Sequence, residues 1–506
     1  MSFVPLSHTR RMSLSIDYVP AGPVATAFHE SQAFVRGLMG PVGSSKSSAC
    51  CMEIFTRGCE QKAFQGVRKT RWAVIRATYP ELKSTTIRTW QAWFPDQVAP
   101  MKWDAPISSF IRIPLADGTR AEIEVLFFPV ESPAEIEKLS SLEITGAWIN
   151  EARELPVDVL NKLTERVGRF PPVKEGGPTW RGVIMDTNPP DDDGWWYGLA
   201  EGADPEMIEQ MSGIEGKLRE MGYLKDGQKL YEFFKQPGGL LDQNGELVPN
   251  PLAENIPNLD GGYAYYYRQA AGKRKNWIKA QVCGQYATFS TGKPVYEEYN
   301  DEIHCREVSA NQNLPLLIGM DYGRKPAAAI CQITKKGQFR IIDEVVAQGM
   351  GVRVFARDWL KPHLAQHYRD FQVAIIGDPA GSDGRDTEET TCFSILAEEG
   401  LAAVPALTNE STARIEALSD YMNKMVDGEP GFLVSPKARM IRKALNGGYC
   451  YDRVQVAGGV YRNVPNKNNP YSHPAEAAQY AALHCKYVNV NDAWGKPIAY
   501  PKSGVV

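Results

Sequence analysis

The sequence predicts an α/β protein in which two domains follow one another along the chain. A loop of small residues, 40–47, lies between an apolar run at 33–39 and a helical run at 47–57. Apolar strands then alternate with helices through the first half, which indicates a mostly parallel sheet. In the second half, three strands follow one another before helices and strands alternate, which indicates a mixed sheet.

The composition of the 506-residue chain is that of an ordinary globular protein, with 43% hydrophobic and 23% charged residues. No run approaches the ~18 apolar residues of a membrane helix, and residues 1–18 lack the apolar stretch of a secretory signal. Nine cysteines without a CxxC pair indicate neither a zinc site nor a disulfide framework, and are typical of a reducing cytoplasm. The net charge of −4 disfavours permanent coating of nucleic acid. The basic clusters at 68–71, 273–275 and 437–443 still allow local contact with nucleic acid.

The loop Gly40-Pro-Val-Gly-Ser-Ser-Lys-Ser47 has a strand before it and a helix after it, the context that a phosphate-binding loop requires. Its backbone N–H groups and the helix N-terminus would hold phosphate, Lys46 would reach the β- and γ-phosphates, and Ser47 would hold Mg²⁺. The residues expected to bind ATP are Gly40, Pro41, Val42, Gly43, Ser44, Ser45, Lys46 and Ser47. Ser45 stands where glycine is usual, so we expect strain if this position needs a positive φ. The alternative is a simple Gly/Ser turn before a helix.

Apolar patterning predicts the other elements of the first half. We predict strands at 72–76, 111–114, 121–128, 143–149 and 182–185, a loop at 79–84, and helices at 85–94 and 263–277. The tyrosines at 265–267 beside Arg268 could stack on bases, but packing between a lid and its core is the favoured interpretation.

Polar residues follow two of these strands. Asn150 and Glu151 end the strand at 143–149, where a metal-holding group and a water-activating group would lie beside a γ-phosphate. Asn150 can bind Mg²⁺ weakly or orient its water shell, but it carries no charge. Glu151 is therefore predicted to polarise the attacking water, the alternative being that it only begins the next helix. Thr187 and Asn188 could sense the γ-phosphate, or could form a capped turn before two prolines.

The second half has the strand order of a ribonuclease-H-like fold. We predict strands at 316–321, 327–334, 339–346 and 372–378, with helices at 352–367 and 474–486. Asp321 and Asp378 end two strands, and Glu476 lies in the first turn of the last helix. Three such carboxylates could hold two Mg²⁺ or Mn²⁺ ions for phosphodiester cleavage, although an Asp that ends a strand is also a common turn or cap residue.

Two further features belong to this hypothesis. Asp343 and Glu344 are secondary candidates for a fourth metal ligand. The segment with Gly381, Asp383, Gly384 and Asp386 is expected to form a mobile loop beside Asp378.

The order of these motifs resembles the large terminase subunit of tailed bacteriophages, the ATP-driven motor and nuclease of DNA packaging. The resemblance covers most of the chain and is carried by the loop at 40–47, Trp148-Ile-Asn-Glu151, Thr187-Asn-Pro189, Asp321-Tyr-Gly323, Gly377-Asp-Pro-Ala-Gly381 and Ser472-His-Pro-Ala-Glu476. It implies an N-terminal P-loop ATPase domain and a C-terminal ribonuclease-H-like nuclease domain. The implied boundaries are 1–287 for the ATPase with a lid at about 205–287, 288–313 for a linker, 314–488 for the nuclease, and 489–506 for a tail.

The resemblance also implies roles for residues. Lys46 and Ser47 would contact nucleotide and Mg²⁺, and Glu151 would be the catalytic glutamate. Thr187 and Asn188 would couple hydrolysis to movement. Residues 28–32 would contact adenine, and Asp321, Asp378 and Glu476 would bind the nuclease metals. The sequence departs from the family at Ser45, where Gly is usual, and at Asn150 and Glu476, where Asp is usual. The family's arginine that reaches a neighbouring subunit is not fixed by the sequence, and Arg76 and Arg153 are candidates.

The implied function is ATP-driven translocation of double-stranded DNA into a procapsid, with cutting of concatemeric DNA. The implied partners are double-stranded DNA, a portal protein, a small terminase subunit and further copies of the chain in a pentamer. The protein would act in the host cytoplasm and transiently on the procapsid, and would be absent from the mature virion. Two alternatives stay open: a repair or recombination ATPase–nuclease without a capsid, and a structural protein in which both sites are relics.

Overall fold

The computed structural model describes residues 16–192, 194–203, 205–243, 245–287, 292–322, 325–347, 349–382, 391–453 and 461–487. They divide into two compact units, one ending at Ala287 and the other following it. In these ranges no helix is both long enough and apolar enough to cross a membrane. The expectations for Gly323, for the loop residues Asp383, Gly384 and Asp386, and for the tail at 489–506 fall outside the described residues.

The described residues of the first unit form ten strands and ten α-helices. The strands are β1 Val35–Met39, β2 Val67–Arg76, β3 Met101–Lys102, β4 Ile107–Pro114, β5 Arg120–Pro129, β6 Gly146–Asn150, β7 Gly182–Thr187, β8 Tyr231–Lys235, β9 Leu240–Gln243 and β10 Glu246–Pro249. The helices are α1 Pro23–Glu30, α2 Lys46–Glu60, α3 Tyr79–Glu81, α4 Ile87–Trp93, α5 Pro133–Lys138, α6 Val157–Thr164, α7 Trp195–Ala200, α8 Pro205–Glu220, α9 Tyr263–Ala270 and α10 Lys275–Gln281. Short 3-10 helices lie at Leu139–Ser141, Ala152–Glu154, Val173–Glu175 and Ile256–Asn258.

The main sheet of this unit has eight strands in the order β3-β4-β5-β2-β6-β7-β1-β8. All neighbours from β5 to β8 pair in parallel, and only β3 and β4 at one edge are antiparallel. Every residue of β1, β6 and β7 is buried, as expected for parallel strands that are covered on both faces. The prediction of a mostly parallel sheet is confirmed. The carboxyl ends of β1, β7 and β6 therefore lie side by side.

Two local predictions in this unit are wrong. The helix predicted at 263–277 is interrupted, because residues 271–274 separate α9 from α10. The segment 79–84, predicted as a loop, is helical, because α3 continues through a π-helical segment, Leu82–Thr86, into α4. The Thr78 hydroxyl caps this helix by accepting from the Glu81 N–H, and Pro80 lies in its first turn, where proline needs no N–H partner.

Within the ranges described for the second unit there are eleven strands and seven α-helices. The strands are β11 Lys293–Pro294, β12 Leu316–Asp321, β13 Ala327–Ile333, β14 Phe339–Val346, β15 Val373–Gly377, β16 Ala403–Pro405, β17 Met425–Val426, β18 Glu429–Pro430, β19 Phe432–Val434, β20 Cys450–Arg453 and β21 Tyr461–Pro465. The helices are α11 Asp301–His304, α12 Val352–Val354, α13 Lys361–His367, α14 Cys392–Glu398, α15 Ser411–Met422, α16 Arg439–Lys443 and α17 Ser472–Tyr487. Phe355–Leu360 is π-helical, Ala444–Gly448 is an irregular turn with non-helical backbone at Asn446 and Gly447, and Pro379–Ser382 is a 3-10 helix.

Its main sheet has six strands in the order β16-β15-β12-β13-β14-β19. β13 is antiparallel to both of its neighbours, whereas the other pairs are parallel, so the prediction of a mixed sheet is confirmed. Helix α17 packs closely on β12, because Gly319 has no side chain and a methyl group there would overlap the Ala477 carbonyl oxygen. This close approach brings the first turn of α17 to the end of β12.

Candidate functional site

The loop 40–47 leaves the carboxyl end of β1 and enters α2 directly. The Gly40 N–H donates to the Thr187 carbonyl (3.2 Å), and the Val42 N–H donates to the Gln281 carbonyl (2.9 Å). Gly43 has φ 73° and Ser45 has φ 68°, so both are left-handed. Ser45 therefore takes the conformation that favours glycine, at a cost of about 1–2 kcal/mol for an ordinary residue. Such strained positions cluster at functional sites.

Lys46 is buried inside this loop. Its Nζ donates to the carbonyl oxygens of Gly40 (3.1 Å) and Pro41 (2.7 Å) and to Asn188 Oδ1 (2.9 Å). Burial lowers the pKa of Lys46, while the nearby carboxylates of Glu151 and Asp186 oppose that change. The ammonium group thus lies where phosphate oxygens in the loop would give it stronger acceptors.

A polar cluster lies beside the first turn of α2. Ser47 Oγ donates to Asp186 Oδ2 (2.7 Å), and Asn150 Nδ2 donates to both carboxylate oxygens of Asp186 (3.0 and 3.2 Å). Trp148 Nε1 donates to Asp186 Oδ1 (2.7 Å), and Thr86 Oγ1 donates to Asn150 Oδ1 (2.6 Å). Burial raises the pKa of Asp186, and the charge of Glu151 adds to this effect. Sequence reasoning assigned no role to Asp186.

Glu151 follows β6 and is also left-handed, with φ 52°. Its Oε2 accepts from the Asn188 N–H (3.4 Å) and lies 3.6 Å from Arg153 Nε. Asn188 therefore touches Lys46 through its side chain and Glu151 through its backbone. The Thr187 hydroxyl donates to the Asn188 carbonyl (2.9 Å). The structure thus places Lys46, Asn188 and Glu151 close together, and their role at a γ-phosphate stays a prediction.

Residues far along the chain complete the loop's surroundings. Asn255, also left-handed at φ 66°, donates through Nδ2 to the Gly43 carbonyl (2.7 Å). Gln236, just after β8, donates through Nε2 to the Ser44 carbonyl (2.9 Å) and to Glu254 Oε2 (2.8 Å). These contacts could not be found from the sequence, because isolated polar residues in loops carry no pattern. They tie the segment after β8 to the loop 40–47.

The residues expected to contact adenine make contacts inside the unit. Phe28 is buried and packs against Phe234. His29 bonds to Glu53 (2.7 Å), and Gln32 Oε1 accepts from Arg57 (2.9 Å). The polar groups of His29 and Gln32 thus hold α1 and the chain after it against α2.

Both candidates for an arginine acting on a neighbouring subunit have partners within this chain. Arg76 is buried and lies 2.9 Å from Glu154 Oε2 and 3.7 Å from Glu81 Oε2. Arg153 donates to the Pro189 carbonyl (3.3 Å) and lies beside Glu151. At these positions, Arg76 and Arg153 are suited to stabilising the site within their own chain.

In the second unit, Asp321 and Asp378 lie at the adjacent ends of the paired strands β12 and β15. The Asp378 N–H donates to the Met320 carbonyl (3.1 Å), and this bond holds the ends of the two strands together. His473, in the first turn of α17, bonds through Nδ1 to Asp321 Oδ2 (2.7 Å). Burial raises the pKa of Asp321, the bond from His473 opposes it, and the charges of Glu476 and Asp378 add to it. The acids are therefore close enough to influence one another.

Glu476, which the sequence predicts to bind metal with Asp321 and Asp378, contacts basic side chains and a tyrosine instead. Its Oε2 lies 3.2 Å from Lys467 Nζ and 3.4 Å from Arg414 Nη1, and its Oε1 accepts from the Tyr449 hydroxyl (3.2 Å). Over the part of the chain that the structure describes, no group of three or more His, Cys, Asp or Glu side chains is arranged to hold a metal ion. The oxygen donors of Asp321 and Asp378 suit a hard cation, but Glu476 as arranged does not join them.

The two secondary candidates also have other partners. Asp343 Oδ2 bonds to His363 (2.8 Å) and to the Tyr368 hydroxyl (3.0 Å). Glu344 accepts from the backbone N–H groups of Met440 (2.6 Å) and Ile441 (2.8 Å), and burial raises its pKa to about 7. Both carboxylates thus support packing of the sheet edge rather than the end of β12.

Comparisons with known proteins give structural likenesses only. No protein-family model and no curated protein matches the sequence. The large terminase from a thermophilic bacteriophage is 13% identical over 92% of this chain and 96% of its own, with a TM-score of 0.36. The HK97 bacteriophage large terminase is 10% identical over 91% and 94%, with a TM-score of 0.38. The large terminase ATPase domain of Thermus phage P74-26 is 14% identical over 53% and 94%, with a TM-score of 0.29.

These structures are large terminases, the family that the motif order resembles. Likenesses with TM-scores below 0.5 establish nothing about activity. We therefore base the function on the residues of this chain.

Proposed function

We propose that this protein is the ATP-hydrolysing motor subunit of a viral DNA-packaging machine, a large terminase. The observation that carries the proposal is the convergence at the strand ends. Lys46 lies inside a loop with two left-handed residues, and Asn188 links it to the carboxylate of Glu151. A buried lysine, a helix N-terminus and a nearby carboxylate are the groups that bind a triphosphate and direct water at its γ-phosphate.

Each residue has a stated task in this proposal. The backbone N–H groups of the loop and the N-terminus of α2 bind the β- and γ-phosphates, and Lys46 exchanges its carbonyl acceptors for phosphate oxygens. Glu151 orients and deprotonates the attacking water. Ser47 would hold Mg²⁺, which when bound neutralises charge on the phosphate oxygens. Asn188 touches both Lys46 and Glu151, so it would transmit loss of the γ-phosphate to the rest of the unit.

The test of the ATPase compares Glu151→Gln with wild type. Gln keeps the shape and can still contact the Asn188 N–H, but it cannot accept a proton. We expect ATP turnover to fall by about 10²–10⁴-fold with ATP affinity preserved. Glu165→Gln makes the same change at an exposed glutamate, and it should leave ATP turnover and ATP affinity unchanged. A parallel loss of binding, or retained turnover, would contradict the role of Glu151.

We propose in addition that the second unit is a metal-dependent DNA endonuclease. The specific support is that Asp321 and Asp378 end neighbouring strands, with His473 bonded to Asp321. These two carboxylates would hold Mg²⁺ or Mn²⁺, which when bound stabilises charge on a phosphodiester. Glu476 would join them only after Lys467 and Arg414 release it; Lys467 is about half exposed and could move.

Plasmid cleavage in Mg²⁺ or Mn²⁺ tests the nuclease. Asp378→Ala should abolish cutting and leave ATP turnover unchanged. Asp358→Ala, which removes an exposed carboxylate bonded only to its neighbour Arg357 in the contacts described, should cut like wild type. Cutting retained by Asp378→Ala would remove this residue from the site.

The motor context belongs to the same proposal. The partners would be double-stranded DNA, a portal protein, a small terminase subunit and other copies of this chain, as a pentamer on the portal of a procapsid in the host cytoplasm. DNA that stimulates ATP turnover, together with ATP-dependent protection of DNA inside procapsids, would support it. Unwinding or end-processing of free DNA without a procapsid would favour the repair alternative.

A further inference from the structure

Asn150 ends β6 at the point where a nucleotide site usually provides a carboxylate for Mg²⁺. The neighbouring strand β7 has a carboxylate in register with it, because Asn150 pairs with Asp186 across the parallel ladder. Since β7 lies between β6 and β1, this carboxylate is one strand closer to the phosphate loop. Asp186 accepts a hydrogen bond from Ser47 Oγ at 2.7 Å. Ser47 is the residue whose hydroxyl is expected to hold the metal.

The orientation of Asn150 separates its role from that of Asp186. Both carboxylate oxygens of Asp186 accept from Asn150 Nδ2, which turns the amide nitrogen toward the acid. The amide oxygen then faces away and accepts from Thr86 Oγ1 at 2.6 Å. Asn150 therefore presents donors, not a ligand oxygen, to the centre of the cluster, which corrects the expectation that its amide could bind Mg²⁺.

Asp186 is fully buried, and the donors described for it are neutral: the Ser47 hydroxyl, the Asn150 amide and the Trp148 indole. Burying a carboxylate with neutral donors alone costs free energy, because the lost hydration of the charge is only partly replaced. The Lys46 ammonium lies near Asp186 but donates to other groups in the contacts described, and a divalent cation next to Ser47 would add positive charge at the carboxylate itself.

We propose that Asp186 is the carboxylate that holds Mg²⁺ for the bound nucleotide, in place of the acid missing at position 150, and that Asn150 is a positioning residue for it. This inference rests on the proposal that the loop binds ATP. It deepens that proposal by moving the metal-holding carboxylate from β6 to β7. The purely structural alternative is that Asp186 only fixes Trp148 in the core.

Binding of Mn²⁺ in place of Mg²⁺ tests the assignment without measuring turnover. The full-length protein is saturated with AMP-PNP, and free Mn²⁺ is followed by electron paramagnetic resonance. The Mn²⁺ that binds without AMP-PNP, including any at Asp321 and Asp378, is measured separately and subtracted. We expect Asp186→Asn to weaken Mn²⁺ binding by about 10- to 100-fold. AMP-PNP binding without metal should stay within about threefold of wild type, since the loop and Lys46 remain. Glu165→Gln, which removes an exposed carboxylate of the same unit, should bind Mn²⁺ like wild type.

The charge-transposed variant Asn150→Asp/Asp186→Asn provides the second readout. It restores one carboxylate to the pair, and we expect Mn²⁺ affinity to return to within about tenfold of wild type. Wild-type Mn²⁺ affinity in Asp186→Asn would overturn the assignment. So would equal loss of metal-free AMP-PNP binding, which would indicate a structural role, or a folded transposed variant no better than Asp186→Asn. Failure of the wild type itself to bind AMP-PNP would overturn the proposed ATPase and this inference with it.

Discussion

Glu53, a carboxylate of α2, is almost completely buried and is the subject of a quantitative prediction. It accepts from Arg36 of β1 (2.6 Å), from Arg57 one turn further along α2 (2.7 Å) and from His29 of α1 (2.7 Å). Arg36 is itself fully buried and stacks over Phe28 and Trp180. Replacing Glu53 by Gln would leave this guanidinium buried without its counter-charge.

The magnitude follows from the pKa of Glu53. Burial alone would raise it, but Arg36, His29 and Arg57 together lower it from 4.5 to about 2. At about 1.4 kcal/mol per pH unit, the charged form is worth about 3 kcal/mol to the folded state. Removing one partner of a buried ion pair typically costs about 3–5 kcal/mol, which is the same size. We therefore expect Glu53→Gln to lower the free energy of unfolding by about 3 kcal/mol.

Urea unfolding at pH 7, followed by tryptophan fluorescence, measures this loss. All of the 11 tryptophans except Trp359 and Trp494 precede residue 288, so the signal reports mainly on the first unit. With a denaturant dependence of about 3 kcal/mol per molar, the midpoint should fall by about 1 M. Glu60→Gln removes an exposed carboxylate of the same helix, 3.5 Å from Arg57, and should change stability by less than about 0.5 kcal/mol.

The pH dependence gives an independent check. Because the folded-state pKa of Glu53 is depressed, its contribution is present above pH 4.5 and is lost as the pH falls through about 2. The difference in stability between wild type and Glu53→Gln should therefore shrink across that window. A Glu53→Gln variant that unfolds at the wild-type midpoint at pH 7 would refute the reasoning.

Two other substitutions test the backbone geometry. Ser45→Val should lower the thermal midpoint through a loss of about 1–2 kcal/mol, because a branched side chain fits poorly at φ 68°, whereas Ser45→Gly should not lower it; equal behaviour of the two would contradict the left-handed assignment. Gly319→Ala should destabilise the second unit by about 1–3 kcal/mol in thermal unfolding, because its methyl group meets the backbone of α17, whereas Gly351→Ala, where space is open, should not. Similar effects at both glycines would argue against the close contact of α17 with β12.

Local features were predictable from the sequence. The loop 40–47, the strand ends at Glu151, Asp321 and Asp378, and the first turn of α17 each have a pattern within a few residues of chain. Strand bounds such as 316–321 and 339–346 agree with the structure. Segment 79–84 was mispredicted, because a single threonine cap outweighed the loop-like composition.

Pairings between distant residues were not predictable. The role of Asp186 depends on its register with Asn150, and a single sequence does not reveal which strands are neighbours. Asn255 reaches the phosphate loop from more than 200 residues away. Lys467 and Arg414 form ion pairs with Glu476, but no sequence pattern around Glu476 predicts these pairs. The sequence predicts most helices and strands, but it does not predict the register between strands or the charge pairs between elements.

The central claim is that the loop around Lys46 binds the phosphates of ATP. Titration of a fluorescent ATP analogue into wild type and Lys46→Ala tests it most directly, with Lys69→Ala, a half-exposed lysine paired with Glu175, as the control. Loss of a buried charge contact costs about 2–5 kcal/mol, so Lys46→Ala should bind at least about 30-fold more weakly, while Lys69→Ala binds like wild type. Equal affinity in wild type and Lys46→Ala would contradict the account.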